Sequence, residues 1–372
     1  MTSTALKFSL ILFFVCHYHF SQNHSTYFVG HSLIGNTMPD MLDHLATTNQ
    51  INYTSKRQII NGAPLKYNWE NPSSGETGNY TTDLQTGNYN TLILTEAIPL
   101  DNHITWSNTY VMANNFYTYF NTYVNNGTSY IYETWHCINS GTDIDCAYDE
   151  GDAVSWRDRL DTDLSKWEAI AAAINNQNPE ANTTLIPAGQ AMALLYDEIA
   201  LNNVSGISSI SDFFTDDIHL NDMGNYYIAC VMYTVLFNEN PVGLTRDISN
   251  TYGVPYQTPN AVLANQLQLL ALQSVCNYQN NTTGICQTLS IAETHLNAPL
   301  EIVNHTKTIQ LKSKRNTVSG FRIYNMLGQE VRSKTNINES TLTVNKPEVA
   351  HGMYILIVTL NNGQTINKRI LL

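Results

Sequence analysis

Between residues 27 and 237, short apolar runs alternate with longer stretches whose apolar residues recur at helical spacing. No other feature of the chain restricts its fold as much. Residues 27–29, 90–95, 129–133 and 183–187 read as buried strands. Residues 114–124, 158–175 and 190–201 read as helices, the second with Leu160, Leu164, Trp167, Ala171 and Ile174 on one face. Strands and helices in alternation predict an α/β domain, a parallel sheet with helices on both faces.

The first strand, Tyr27-Phe28-Val29, runs into Gly30-His31-Ser32-Leu33-Ile34-Gly35, and a helix start follows. Thr37 reads as its cap, with Pro39 in the first turn and Asp40 three residues past the cap. Met38, Met41, Leu42, Leu45 and Ala46 then share a face. The serine therefore falls at the carboxyl end of a strand, where open α/β sheets hold ligands. Ser32 is the candidate nucleophile; the blander reading of a serine in such a turn is a helix cap. Far downstream, Asp216 and His219 form an Asp-x-x-His pair just before an Asn221 cap and a helix over 226–237. That places His219 on a loop, where catalytic side chains concentrate. Asp216 is expected to orient the imidazole, with the adjacent Asp217 as the other candidate.

Together these stretches resemble the GDSL/SGNH hydrolase family over about residues 25–245. The Gly-Asp-Ser-Leu block of that family corresponds to Gly30-His31-Ser32-Leu33, with His31 in place of Asp, and its Asp-x-x-His pair to Asp216 and His219. The resemblance implies a three-layer α/β/α sandwich and a Ser-His-Asp mechanism. It implies Ser32 and Gly62 as backbone donors to an oxyanion, Gly62 lying in Ile59-Ile60-Asn61-Gly62 after the second strand. The third family block would carry an asparagine donor, but this chain has Thr95-Glu96-Ala97-Ile98-Pro99 there. Either Trp135 or Asn139 supplies a further donor, or two backbone donors suffice; Glu96 could instead bond a substrate hydroxyl. Glu96, Trp135 and His31 are thus candidate substrate-lining residues, and Glu133 and His136 either line the crevice or meet water. Trp69, Trp106, Trp135, Trp156 and Trp167 could stack on sugar rings, Trp69 and Trp135 foremost, although aromatics more often pack in cores and Trp167 is expected there.

Residues 1–21 carry one Lys and an apolar run over 8–16, too short to span a membrane, so a secretory signal is expected. Export makes disulfides plausible for the five cysteines beyond it. Cys137 with Cys146 and Cys276 with Cys286 are close enough to close small loops, and Cys230 is expected as a buried thiol. A net charge of −13 argues against a nucleic-acid surface. No Cys or His cluster has zinc spacing, so neither metal nor organic cofactor is expected.

Proline and glycine mark the end of the first domain near residue 245, and a helix over 260–277 follows within an extension and linker reaching 298. From residue 299 short alternating strands at 308–311, 320–324, 341–344, 353–360 and 364–372 argue for a small antiparallel, Ig-like all-β sandwich. The run Phe321-Arg322-Ile323-Tyr324-Asn325-Met326-Leu327-Gly328, then His351-Gly352-Met353-Tyr354 and the basic end Lys368-Arg369, resembles the type A C-terminal sorting domain of type IX secretion cargo. That resemblance implies the type IX machinery as a partner and a secreted or cell-surface protein. The expectation for the whole chain is an exported serine ester hydrolase that removes acyl groups, acetyl among them, from a carbohydrate. The alternatives are a non-catalytic carbohydrate-binding or surface protein on the same fold, and a lipid or thioester hydrolase.

Overall fold

The computed structural model describes residues 23–146, 149, 153–250, 252–279, 285–286, 300–304, 307–313, 316–325, 329–347, 349, 353–362 and 365–371. The signal expected over residues 1–21 and the turn expected at Leu327-Gly328 lie outside the described residues. The chain divides into two compact units, Met1–Tyr278 and Gln279–Leu372.

The first unit is built on strands β1 (His24–Gly30), β2 (Tyr53–Ile59), β3 (Thr91–Leu94), β4 (Thr128–Tyr132) and β5 (Thr184–Ile186). They form one sheet in the order β2-β1-β3-β4-β5, every pair parallel. Alternate side chains feed two cores. Tyr27, Val29, Leu92, Leu94, Ile131 and Leu185 face one way, while Phe28, Ile93, Tyr132 and Ile186 face the other. Burial on both faces explains the apolar runs of β1, β3, β4 and β5, whereas the edge strand β2 is partly exposed and carries Thr54, Ser55, Lys56 and Arg57.

Helix α1 (Thr37–Thr48) crosses from β1 to β2; α2 (Leu65–Glu70), α3 (Tyr80–Asp83), α4 (Leu100–Trp106) and α5 (Thr109–Tyr123) occupy the next two connections. Helices α6 (Trp156–Gln177), α7 (Ala188–Ala200), α8 (Asp222–Phe237) and α9 (Ala261–Tyr278) complete the unit. Phe116, Phe120, Trp167 and Ile170 of α5 and α6 cover one face of the sheet, and residues of α1, α7, α8 and α9 cover the other, giving the α/β/α layers. Strand order reverses at β1, so the carboxyl ends of β1 and β3 flank a topological switch point, the ordinary place for a binding crevice in such sheets.

Local starts differ from the sequence reading in places. Thr37 is the first helical residue and not the cap; Asn36 precedes it, and its side chain accepts from Arg57 Nε at 2.8 Å. Helix α5 begins at Thr109, five residues before the expected start at Asn114. Asn221 does cap α8, its side chain accepting from the Met223 and Gly224 amides. The second unit holds two antiparallel sheets, β10-β7-β6 and β12-β11-β8-β9, made from β6 (Leu300–Asn304), β7 (Thr308–Ser313), β8 (Val318–Asn325), β9 (Glu330–Glu339), β10 (Thr341–Asn345), β11 (Met353–Leu360) and β12 (Thr365–Leu371). Ile309, Leu311, Leu342 and Val344 of one sheet share a core with Phe321, Ile323, Leu356 and Val358 of the other.

Candidate active site

Ser32 projects from the turn that closes β1. The His31 carbonyl accepts from the Ile34 and Gly35 amides at 3.0 and 3.1 Å, folding the chain back at once. Gly35 makes this possible with a φ of +58°, which favours glycine. Gly30 is held to glycine for another reason: a Cβ there would lie 2.6 Å from Thr95 Cγ2 and 2.7 Å from Ile34 Cδ1. The end of β1 thus approaches the end of β3 more closely than any larger residue permits.

His219 reaches Ser32 from the loop before α8. Thr215 N and Thr215 Oγ1 both donate to the His219 carbonyl, at 2.8 and 3.1 Å, closing a tight turn. Inside it, Asp216 Oδ1 accepts from the Ile218 and His219 amides at 2.9 and 2.7 Å, and Asp216 Oδ2 lies 2.7 Å from His219 Nδ1. Burial pushes the Asp216 carboxyl upward, but the two amides and the imidazole outweigh it and hold the group below the usual carboxylate range. A carboxylate only accepts, so His219 Nδ1 carries the proton and Nε2 is left as an acceptor. Ser32 Oγ lies 2.9 Å from that Nε2. Asp217 uses its main chain instead: its carbonyl accepts from Ile138 N at 2.8 Å.

A cavity of about 220 Å³ opens beside Ser32 and His219, walled by Leu33, Ala97, Ile98 and Ile218, with Gly62 at its edge. Gly62 has a φ of +69°, and no atom lies within 4 Å of where a Cβ would stand. The Ser32 and Gly62 amides have no acceptor among the described residues. Two amides from different loops therefore border the same cavity as the Ser32 hydroxyl. A second hollow of about 110 Å³ adjoins Ser32 and His219 from the side of Asn36 and Thr37. A larger hollow of about 460 Å³, lined by Arg157, Asp197 and Glu168 among others, includes none of these residues.

The residues expected to line the substrate are placed differently. Glu96 is fully buried: its Oε1 accepts from the Leu65 and Ala97 amides at 3.0 and 2.7 Å, and its Oε2 from Thr109 Oγ1 at 2.7 Å. Burial pushes this carboxyl up to about 7. A side chain so enclosed cannot meet a substrate hydroxyl. Trp135 borders the smaller hollow, but its ring is fully buried and its indole N–H is committed to the Ile218 carbonyl at 2.7 Å. It therefore supplies neither an oxyanion donor nor a stacking face. His31 borders the cavity while only 3% exposed, its Nε2 3.0 Å from the Glu96 carbonyl and its Nδ1 3.4 Å from Leu33 N. Burial drives its pKa down to about 4, so the ring is neutral, donates at Nε2 and accepts at Nδ1.

Three other candidates also belong to the scaffold. Glu133 is buried at the start of α7, accepting from Gln190 N and Gln190 Nε2, each at 3.0 Å, and burial pushes it up to about 8. His136 is buried between Asp163 Oδ2 at 2.6 Å and Asp149 Oδ2 at 3.2 Å. Trp69 stacks on Tyr80 with ring centroids 5.0 Å apart and meets Phe116 edge-on. The sequence reading missed Ala97, Ile98 and Ile218 as cavity walls, since apolar residues beside a motif look like any other core. It favoured Trp69 and Trp135 among the tryptophans for a sugar contact, whereas Trp106, at the end of α4, is the one that stands 78% exposed.

Cys137 and Cys146 form a disulfide, Cys276 and Cys286 are each disulfide-bonded, and Cys230 is a buried free thiol. Among the described residues no group of three or more His, Cys, Asp and Glu side chains could hold a metal ion. No helix among them is long and apolar enough to cross a membrane.

A family model described as a domain of unknown function, DUF8694, matches residues 289–372. No curated protein matches the chain. Among solved structures, a DUF4886 family protein from Bacteroides uniformis is similar over 68% of this chain and 95% of its own, at 16% identity and a TM-score of 0.45. The acetyl xylan esterase AlAXEase is similar over 57% of this chain and 99% of its own, at 17% identity and a TM-score of 0.36. A carbohydrate esterase family 3 structure from Talaromyces cellulolyticus covers 58% and 97%, at 11% identity and a TM-score of 0.37. At these identities and scores the likenesses carry no functional argument.

Proposed function

We propose that the protein is an exported serine ester hydrolase that removes short acyl groups from a carbohydrate. One observation carries this reading: Ser32 Oγ, His219 and Asp216 stand in a chain of contacts of 2.9 and 2.7 Å that opens onto a cavity bordered by two uncommitted amides. Ser32 Oγ attacks the ester carbonyl while its proton passes to His219 Nε2. The Ser32 and Gly62 amides receive the negative charge that develops on the carbonyl oxygen. His219 then gives the proton to the departing alcohol, and water repeats the sequence on the acyl-serine. Asp216 keeps the imidazole in the accepting tautomer and stabilises it once charged.

The cavity favours a short acyl chain. Its 220 Å³ falls below the roughly 300–1,000 Å³ of pockets that enclose drug-sized ligands, and its walls are apolar. That size disfavours the long-chain lipid alternative. Trp106, open to solvent on the helix that leaves the Ala97–Ile98 wall, offers the aromatic face a sugar ring can use. Export is supported by the apolar stretch near residue 10, by the disulfides and by the resemblance of the tail to sorting domains, which makes type IX secretion the proposed route. The test is hydrolysis of p-nitrophenyl acetate by the purified chain beside Ser32→Ala. Activity that disappears in the variant is expected; equal background rates in both would leave a carbohydrate-binding protein on a hydrolase fold.

A further inference from the structure

The two positions where this chain departs from the SGNH pattern meet in the structure. His31 replaces the Asp beside the nucleophile, Glu96 stands where an asparagine donor is expected, and His31 Nε2–H donates to the Glu96 carbonyl at 3.0 Å. The Glu96 carboxylate meanwhile takes the Leu65 and Ala97 amides and the Thr109 hydroxyl. One buried residue is thus tied to the Ser32 turn through His31, to the start of α2 three residues after Gly62, to the cavity wall at Ala97 and to the start of α5.

We infer that Glu96 is a positioning residue: it sets the separation between the Ser32 and Gly62 amides, which come from different loops and must converge on one oxygen. The inference rests on the hydrolase reading. Gly62 has no neighbour near its missing Cβ. Its loop is held on one side by Ile60 N donating to the Gly30 carbonyl at 3.1 Å and by Asn68 Nδ2 reaching the Gly30 and Ala63 carbonyls at 3.3 Å, and on the other by Ala63 N donating to Ile60 O at 3.0 Å and Leu65 N to Glu96. By occupying the Ala97 amide, Glu96 also keeps that N–H out of the cavity and leaves two donors. A site with two donors has little to spare, because losing one typically costs on the order of 10²-fold or more in rate.

Glu133 is the matched control. It is equally buried, follows the neighbouring strand β4 and grips the start of α7 in the same manner, yet its carboxylate bonds Gln190 and not Ser32, Gly62 or the His219 loop. In Glu96→Gln the amide oxygen can accept from Leu65 and Ala97 while its NH₂ donates to Thr109 Oγ1, so the brace survives. Glu96→Ala removes it.

The experiment compares kcat and KM for p-nitrophenyl acetate in the full chain and in Ser32→Ala, Glu96→Gln, Glu96→Ala, Thr109→Val and Glu133→Ala, with inhibition by a short alkyl boronate as a tetrahedral probe. Glu96→Gln is expected to keep kcat within about threefold, and Glu96→Ala to lose about 10²-fold in kcat at unchanged KM, with boronate inhibition weakened in parallel. Glu133→Ala is expected to lose stability and keep kcat. If Glu96→Ala does not fold, Thr109→Val carries the test, with a severalfold fall in kcat at constant KM expected and an unchanged kcat overturning the inference. It is equally overturned if Glu96→Ala matches Glu133→Ala in kcat, or if Glu96→Gln falls as far as Glu96→Ala. Equal rates in the full chain and Ser32→Ala sink the hydrolase reading and this inference together, whereas Ser32-dependent hydrolysis indifferent to Glu96 sinks the inference alone.

Discussion

In the proposed hydrolase, a single atom of Asp216 decides the chemistry. Its Oδ2 accepts from His219 Nδ1, and the Asp216→Asn amide can turn its NH₂ to that nitrogen and favour the wrong tautomer. We expect Asp216→Asn to bind substrate normally and to lose on the order of 10⁴-fold in kcat, measured by steady-state hydrolysis of p-nitrophenyl acetate. Trp106 calls for the opposite pattern, because it is open to solvent and ends the helix that follows Ala97 and Ile98 in the chain. Trp106→Ala should raise KM on an acetylated polysaccharide and leave p-nitrophenyl acetate untouched; equal effects on both substrates would count against a sugar contact there. The meeting of Ser32, His219 and Asp216 was legible in the sequence because short motifs carry these residues. The buried role of Glu96, which the sequence suggested only as a substrate contact, was not, because two of its three carboxylate partners are the backbone amides of Leu65 and Ala97, which no side-chain pattern reveals.

Among the elements, the segment leaving β4 does most to hold the His219 loop in place. Trp135 grips the Ile218 carbonyl, Ile138 N grips the Asp217 carbonyl, and the Cys137–Cys146 disulfide lies between these two handles. Replacing both cysteines by serine should cost about 2–4 kcal/mol by chain-entropy reasoning for so short a loop, read from the denaturant midpoint. Glu133, on the same segment, makes stability depend on pH. Its carboxyl titrates near 8 in the folded chain and at about 4.3 when unfolded, so between these values the native state holds a proton that the unfolded state has released. The resulting stabilisation is complete below the lower value and lost as pH rises through the upper one. Thermal midpoints of Glu133→Gln between pH 5 and 9 should therefore fall less with pH than those of the parent chain. Strands β1, β3, β4 and β5 were legible because their apolar runs are buried on both faces; the polar, partly exposed edge strand β2 was not. Strand β9 was not, since nearly all of its residues face solvent and supply no apolar alternation, and the left-handed Asn108 between α4 and α5 concealed the start of α5.

At the scale of the whole molecule, the two units have separate hydrophobic cores. Leu356→Ala, in the fully buried core of the second unit, should cost about 2–5 kcal/mol in that unit alone. Calorimetry should show one lowered transition, with ester hydrolysis at low temperature unchanged. Within the first unit, Ser32 and His219 are 187 residues apart in sequence, with the other four strands of the sheet, β2 to β5, between them. Such distant pairings are made late in folding, since loop closure must be completed before the contact is rewarded. In the proposed hydrolase, a chain emerging with its amino terminus first displays its serine long before any base exists to activate it. Until α8 and the loop ahead of it arrive, such an unfinished polypeptide would be its own inert precursor.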